Sequence, residues 1–313
     1  MDKYYEEAET VIAQVKRVVI GKDACIQKAM AAILAGGHIL IEDIPGVGKT
    51  TLARAFSNAM DLESRRIQFT PDVMPSDLVG FSMYQKKEDQ FIYQPGAVMC
   101  NLFLGDEINR TSPKTQSALL EVMEEGSATV DGVTRKVPRP FVVMATQNPV
   151  GSVGTQKLPE SQLDRFMVCL SIGYPTLESQ MQIITAQRYH NPLLDIKPVT
   201  NAQNVLEVQN YLSSVELKDS VLRYAIRLCE ETRRHPLIEL GISPRGVSAL
   251  VKMARANALI RERNYVIPED VQSVFCDVCA HRLVLRPQAQ VEGVQAKDIL
   301  GEILLKLRPG TEE

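Results

Sequence analysis

HILIEDIPGVGKTT, residues 38–51, changes character twice within a short span. HILIE (His38–Glu42) is an apolar run of strand type, a glycine-containing loop follows, and TTLARAFSNAM (Thr50–Met60) has helical spacing of its apolar residues. The loop, Asp43 to Thr50, fits the phosphate-loop pattern at its functional end. Gly46 and Gly48 let main-chain N–H groups turn toward an anion, and the helix behind them presents its positive end. Lys49 can reach terminal phosphates and Thr50 can hold a magnesium ion, with Pro45, Val47 and Thr51 in the same nucleotide-binding stretch. The pattern usually opens with glycine; Asp43 in that place predicts a different backbone entry into the loop. A plain glycine turn before a helix is the competing account, and the strand–loop–helix context speaks against it.

Further strands are expected at RRIQFT (Arg65–Thr70), NLFLGDE (Asn101–Glu107), FVVMATQ (Phe141–Gln147) and FMVCLSI (Phe166–Ile172), with helices such as PKTQSALLEVMEE between some of them. Near-continuous apolar strands separated by helices predict an α/β fold with a parallel sheet covered on both faces. Two strand pairs are inserted, one turning at Lys86–Asp89 and one at Asp131-Gly132, the latter a strong hairpin signal. Ahead of the first strand, residues 1–35 read as two helices, with Asp23 as an N-cap and Gly36-Gly37 as a stop. After Tyr174-Pro175 strand signals cease, and helices are expected from about Thr176, Leu217, Ser243 and Pro268. The predicted organisation is an α/β core over 1–190, with inserts near 71–97 and 127–137, and an all-helical domain over 191–313.

Composition agrees with an ordinary globular chain of 313 residues, 45% hydrophobic and 23% charged. The longest apolar candidate, Ala29–Ile41, is broken by Gly36, Gly37 and His38 and falls short of the roughly 20 residues that span a bilayer. With no secretory signal and six scattered cysteines, the expectation is a soluble, cytoplasmic protein. A net charge of -3 and a pI near 5.9 make a nucleic-acid partner an unfavoured one. Cys276 and Cys279 form a lone C-x-x-C with His281 as the nearby ligand type; without a second pair, helix packing is the expected explanation.

Asp106 and Glu107 end an apolar strand, where two acidic groups are costly without cationic or hydrogen-bonding partners. Beside a phosphate loop, Asp106 would hold magnesium and Glu107 would orient or deprotonate the attacking water. Capping of the next helix is the alternative account. Asn148 would be delivered to the carboxyl edge of the sheet, where ligands bind, although Asn148-Pro149 alone reads as a turn. Arg165 and Arg245, each taken alone, read as surface arginines.

In order and spacing these elements resemble the AAA+ superfamily, and within it the MoxR branch. The segments that carry the likeness are GDEINR (Gly105–Arg110), LLEVMEEG (Leu119–Gly126), ATQNP (Ala145–Pro149), LPESQLDRF (Leu158–Phe166) and GISPRG (Gly241–Gly246). The resemblance spans about residues 10–285 and implies a five-stranded parallel sheet with a helical lid, ATP and Mg2+ as cofactors, and a hexameric ring. It places Val19, Ile20 and Gly21 beside the adenine, makes Asn148 the first sensor and Arg245 the lid sensor on the terminal phosphates, and has Arg165 act on the neighbouring subunit. The inserts would face a central pore and touch substrate. Arg135, Lys136 and Arg139 could form a basic collar there, with solvated hairpin charges as the commoner explanation.

The implied function is an ATP-hydrolysing motor that remodels or assembles client proteins, with a partner containing a von Willebrand factor A domain. Two alternatives stay open: a nucleic-acid-remodelling motor, and a nucleotide-gated scaffold with little turnover, against which Glu107 speaks.

Overall fold

The computed structural model describes residues 2–44, 46–147, 158–188 and 190–309. Helices α1 (Asp2–Lys16) and α2 (Asp23–Leu34) precede β1 (Ile39–Glu42), α3 (Lys49–Ala59) and β2 (Ser64–Gln68). Next come α4 (Pro75–Val79), the hairpin β3 (Gly80–Gln85) and β4 (Gln90–Pro95), then β5 (Leu102–Asp106) and α5 (Pro113–Glu125). A second hairpin, β6 (Ser127–Val130) and β7 (Val133–Lys136), leads to β8 (Val142–Gln147), α6 (Glu160–Leu163), β9 (Val168–Leu170) and α7 (Leu177–Gln187). The C-terminal part holds α8 (Ala202–Tyr211), α9 (Asp219–Arg234), β10 (Ile238–Leu240), α10 (Pro244–Ile260), α11 (Pro268–Cys279), β11 (Val284–Leu285), α12 (Pro287–Val291) and α13 (Ala296–Lys306).

Successive strand residues face opposite sides, and the apolar runs use both. Ile39, Ile41, Leu102, Leu104, Val142 and Met144 join the core under α1, α2 and α3. Leu40, Phe103, Val143 and Ala145 join the core under α4 and α5. The resulting five-stranded sheet is parallel throughout, in the order β2-β5-β8-β1-β9. The first of these cores continues into the C-terminal helices, where α10 packs on α2.

Both inserted hairpins form where expected, and Asp131 and Gly132 each take positive φ, 52° and 76°, as a two-residue type I′ turn requires. Two details differ. Asp23 is the first helical residue of α2 rather than its cap; it favours the positive helix end and pairs with Lys16 at 3.0 Å. The C-terminal part is helical except for β10 and β11, which pair antiparallel although each is too short to carry an apolar period.

His38 pins β8 to α5: the Val143 amide donates to Nδ1 at 3.0 Å, and Nε2 lies 3.0 Å from the Met123 carbonyl. Burial pushes its pKa down to about 4, and burial with the nearby Arg282 charge pushes His281 to about 3. The unfolded chain has histidines near pKa ~6.5 and takes up protons that the folded state refuses. Stability from these neutral rings is complete above pH ~6.5 and falls by roughly 1.4 kcal/mol per pH unit per histidine below it. Melting temperature is therefore expected to drop between about pH 6.5 and 5, above the range where carboxylates titrate. His38→Gln, which can replace both hydrogen bonds, should make that drop shallower; a wild-type melting temperature constant over the interval would refute the assignment.

Candidate nucleotide site

In a parallel sheet all carboxyl ends lie at one edge, so the loop after β1 meets the ends of β5 and β8 there. Gly46 and Gly48 have φ of 86° and 94°, and a Cβ at either would meet nothing within 4 Å. It is backbone conformation and not space that calls for glycine here. Gly48 caps α3, which opens with Lys49. Lys49 is 9% exposed, and its ammonium donates to the Asp43 carbonyl oxygen at 2.6 Å. Burial pushes its pKa below the usual lysine range, against the pull of Asp43, Asp106 and Glu107.

Asp106, 6% exposed at the end of β5, accepts from Arg66 Nε at 2.7 Å and from Thr146 Oγ1 at 3.3 Å. Glu107 follows in the left-handed region (φ 58°), its amide donating to Thr146 Oγ1 at 2.9 Å and its carboxylate paired with Arg110 at 2.8 Å. Thr146 Oγ1 bonds both residues, while their carboxylates pair with different arginines. Gly46, Gly48, Lys49, Thr50, Thr51, Asp106, Glu107 and Thr146 line one cleft of about 380 Å³ with Arg66 and Gln68.

A second cleft of about 400 Å³ adjoins it and shares Gly46, Gly48 and Thr51. Val18, Val19, Ile20, Val47, Tyr174, Pro175, Ile183 and Ile184 give it apolar walls, and Lys22 and Gln180 also line it. Gly21 is not a lining residue but lets this wall close: φ is 73°, and a Cβ would stand 2.2 Å from Ser179 Oγ. A polar cleft beside cationic and amide donors, opening into an apolar slot, fits a nucleotide with its phosphates on Lys49 and its base against Val19 and Ile20. The hard oxygens of Asp106 and Thr50 in the same cleft fit magnesium.

Asn148 and Pro45 lie outside the described residues. Arg165 and Arg245 come together on one carboxylate away from the phosphate cleft: Arg165 Nη2 lies 3.0 Å from Glu124 Oε2, and Arg245 Nη2 bonds Glu124 Oε1. Arg245 is thus placed beside Arg165, not among the residues lining its own chain's phosphate cleft. Arg135 of the basic hairpin lies over the Tyr93 ring at 3.9 Å and bonds the Val130 and Val133 carbonyls, so it ties the two inserts together. Cys279 is buried beside Cys229, and His281 Nε2 lies 3.1 Å from the Phe166 carbonyl. Among the described residues no group of three or more His, Cys, Asp or Glu could hold a metal ion, and no helix is long and apolar enough to cross a membrane.

Arg66, Gln68, Thr146 and the Tyr174–Pro175 wall join the site without an expectation from the sequence. A signal for the first two exists in β2: Arg66 and Gln68 alternate with Arg65 and Ile67, and two polar residues on one face of a strand whose end reaches the ligand edge mark a site.

Residues 38–168 match the family described as ATPase family associated with various cellular activities (AAA), and residues 230–303 match the AAA lid domain. The chain is 47% identical to the uncharacterized protein YeaC of Bacillus subtilis, over 94% of this chain and 92% of that one. It is 36% identical to chaperone MoxR1 of Mycobacterium tuberculosis (95% of this chain, 80% of that one) and 28% identical to protein MoxR of Methylorubrum extorquens (90% and 89%). A crystal structure of a candidate ATPase from Cytophaga hutchinsonii superposes with a TM-score of 0.91 at 36% identity, covering 99% of this chain and 96% of that one. An MCM homolog from Methanopyrus kandleri, at a TM-score of 0.58 and 16% identity over 87% of this chain and 59% of that one, shares the fold alone. With relatives of this identity over nearly its whole length, the chain belongs to the MoxR family of AAA+ ATPases.

Proposed function

We propose that the chain is one subunit of a hexameric, ATP-hydrolysing motor that remodels or assembles other proteins. The observation that carries this is the pair of contiguous clefts sharing Gly46, Gly48 and Thr51, with Glu107 in the polar half. Lys49 and the loop amides hold the terminal phosphates, and Val19, Ile20 and Tyr174 enclose the base. Thr50 and Asp106 would hold magnesium, which when bound supplies positive charge to the phosphate oxygens. Glu107 orients and deprotonates water, and Asn148 helps to position it.

The shared Glu124 contact supports a joint role for Arg165 and Arg245. Both stand outside their own chain's phosphate cleft, so both would serve the site of a neighbour, where guanidinium groups neutralise charge developing on the transferred phosphoryl group. Subunits carrying Arg165→Ala and subunits carrying Glu107→Gln should each be inactive alone. A one-to-one mixture should recover about a quarter of wild-type turnover, the share of head-to-tail interfaces that unite two intact groups in a randomly mixed ring. Arg245→Ala should behave as Arg165→Ala does. A mixture as inactive as its components would refute the action across the interface.

Client contact is assigned to the β3–β4 hairpin, which leaves Phe81, Met83, Tyr84 and Phe91 exposed. The chaperone name of the M. tuberculosis relative supports protein clients, and a partner with a von Willebrand factor A domain is carried over from the family resemblance. The packing of Arg135 on Tyr93 weakens the case for a basic collar around nucleic acid.

A further inference from the structure

Asp43 occupies the place of the first glycine in the phosphate loop, yet it is not among the residues of positive φ, so nothing in its backbone calls for glycine. The residue is buried, with 7% of its surface exposed. Oδ1 accepts from the Ile44 amide at 2.9 Å. Oδ2 accepts from the Ile172 amide at 2.7 Å, the Gly173 amide at 2.6 Å and the Ser171 hydroxyl at 3.1 Å. These three donors belong to the segment leaving β9, which runs directly into Tyr174 and Pro175 of the apolar cleft and then into Thr176, the cap of α7. The same segment is held from the other side by Lys22, whose Nζ donates to the Tyr174 carbonyl at 2.8 Å.

The other end of the residue touches the phosphates' lysine. The Asp43 carbonyl accepts from Lys49 Nζ at 2.6 Å, a bond that Lys49 must share or give up when it turns to an anion. One residue therefore joins the ammonium that binds phosphate to the wall that encloses the base. Burial alone would raise the carboxyl pKa; the bonds from Gly173, Ile44, Ile172 and Ser171 outweigh it and hold the group below the usual aspartate range. The carboxylate is charged at neutral pH, and amide donors to an ionised acceptor make strong, short bonds.

We propose that Asp43 is a positioning residue that sets the base-enclosing wall, Ser171–Pro175, against the phosphate loop, so that affinity for the base half of the nucleotide depends on it. The proposal rests on the nucleotide reading of the two clefts. If Asp43 only stabilised the fold, its loss would weaken all ligands of the site together. If it positions the wall, its loss weakens the ligand that has a base and spares the one that is phosphate alone.

The test is equilibrium binding of ADP and of sodium tripolyphosphate to the full chain, wild type and Asp43→Gly, with folding checked by circular dichroism. Asp43→Gly restores the common loop pattern and removes every side-chain bond. ADP affinity is expected to fall by about ten- to a hundredfold, in line with the loss of several charge-assisted bonds, while tripolyphosphate affinity stays within about threefold. Hydrogen exchange at the Ile172 and Gly173 amides should accelerate. Should this variant fail to fold, Asp43→Asn, which keeps the shape and loses the charge, should show the same selective loss at about fivefold or more. Ser171→Ala, which removes one neutral donor, should cost ADP less than about threefold. Parallel loss of both ligands, or unchanged ADP affinity in a folded variant, overturns the proposal. A wild-type chain that binds tripolyphosphate but not ADP would instead remove the nucleotide reading on which it rests.

Discussion

Glu107→Gln is expected to leave ATP bound and to lower its turnover by about 10²- to 10⁴-fold, the usual contribution of a positioned general base. Its surroundings hold this residue firmly in place. A glutamate at φ 58° sits in a region that costs on the order of 1–3 kcal/mol for a non-glycine residue, a conformation that persists only where surroundings over-determine it. Here the amide is bonded to Thr146 Oγ1 and the carboxylate to Arg110. The twist turns the two carboxylates to different cations in the same cleft, Asp106 to Arg66 and Glu107 to Arg110. Glutamine fills the same volume and can still accept from Arg110, but it cannot take a proton from water. Phosphate release and nucleotide binding should be measured on the same preparation. Turnover equal to wild type would remove Glu107 from the chemistry.

Lys49→Ala should weaken ATP binding by about 10²- to 10³-fold, as expected when charge-assisted hydrogen bonding to phosphate is lost. Lys49 is a buried cation close to Asp43, Asp106 and Glu107, so its removal also leaves like charges facing one another. Lys49→Met, which keeps the aliphatic stem, separates the packing contribution from the charge. If both variants lose ATP while retaining a cooperative melting transition, the ammonium itself binds the phosphates. Tight ATP binding by a folded Lys49→Ala chain would count against the phosphate loop as the anchor.

Most of the fold was legible because its signals are local. HILIE and FVVMATQ hold unbroken apolar stretches, Ile39–Ile41 and Phe141–Ala145, as strands buried on both faces of a helix-covered parallel sheet do. Asp131-Gly132 specified its hairpin because few residue pairs accept two successive positive φ values. The strands β10 and β11, of three and two residues, carry no period long enough to read, and their pairing depends on helices packed around them. Asp23 stands one position inside the expected cap, a difference no local pattern resolves because an acid stabilises both the cap and the first turn.

The expected phosphate loop and acidic pair are legible in short runs of the sequence. Gly46, Gly48 and Lys49 act through backbone conformation and reach, and Asp106 and Glu107 through their place at a strand end, all properties of a few consecutive residues. The distant groups that these residues meet are set by tertiary packing. Arg66 reaches Asp106 across 40 positions, Arg245 reaches Glu124 across 121, and the Gly173 amide reaches Asp43 across 130. Such contacts follow from strand order and from the way the C-terminal helices pack on α2, which no local pattern encodes. For that reason Asp43 reads in the sequence as a departure from a motif, and in the fold as the residue that joins its two halves.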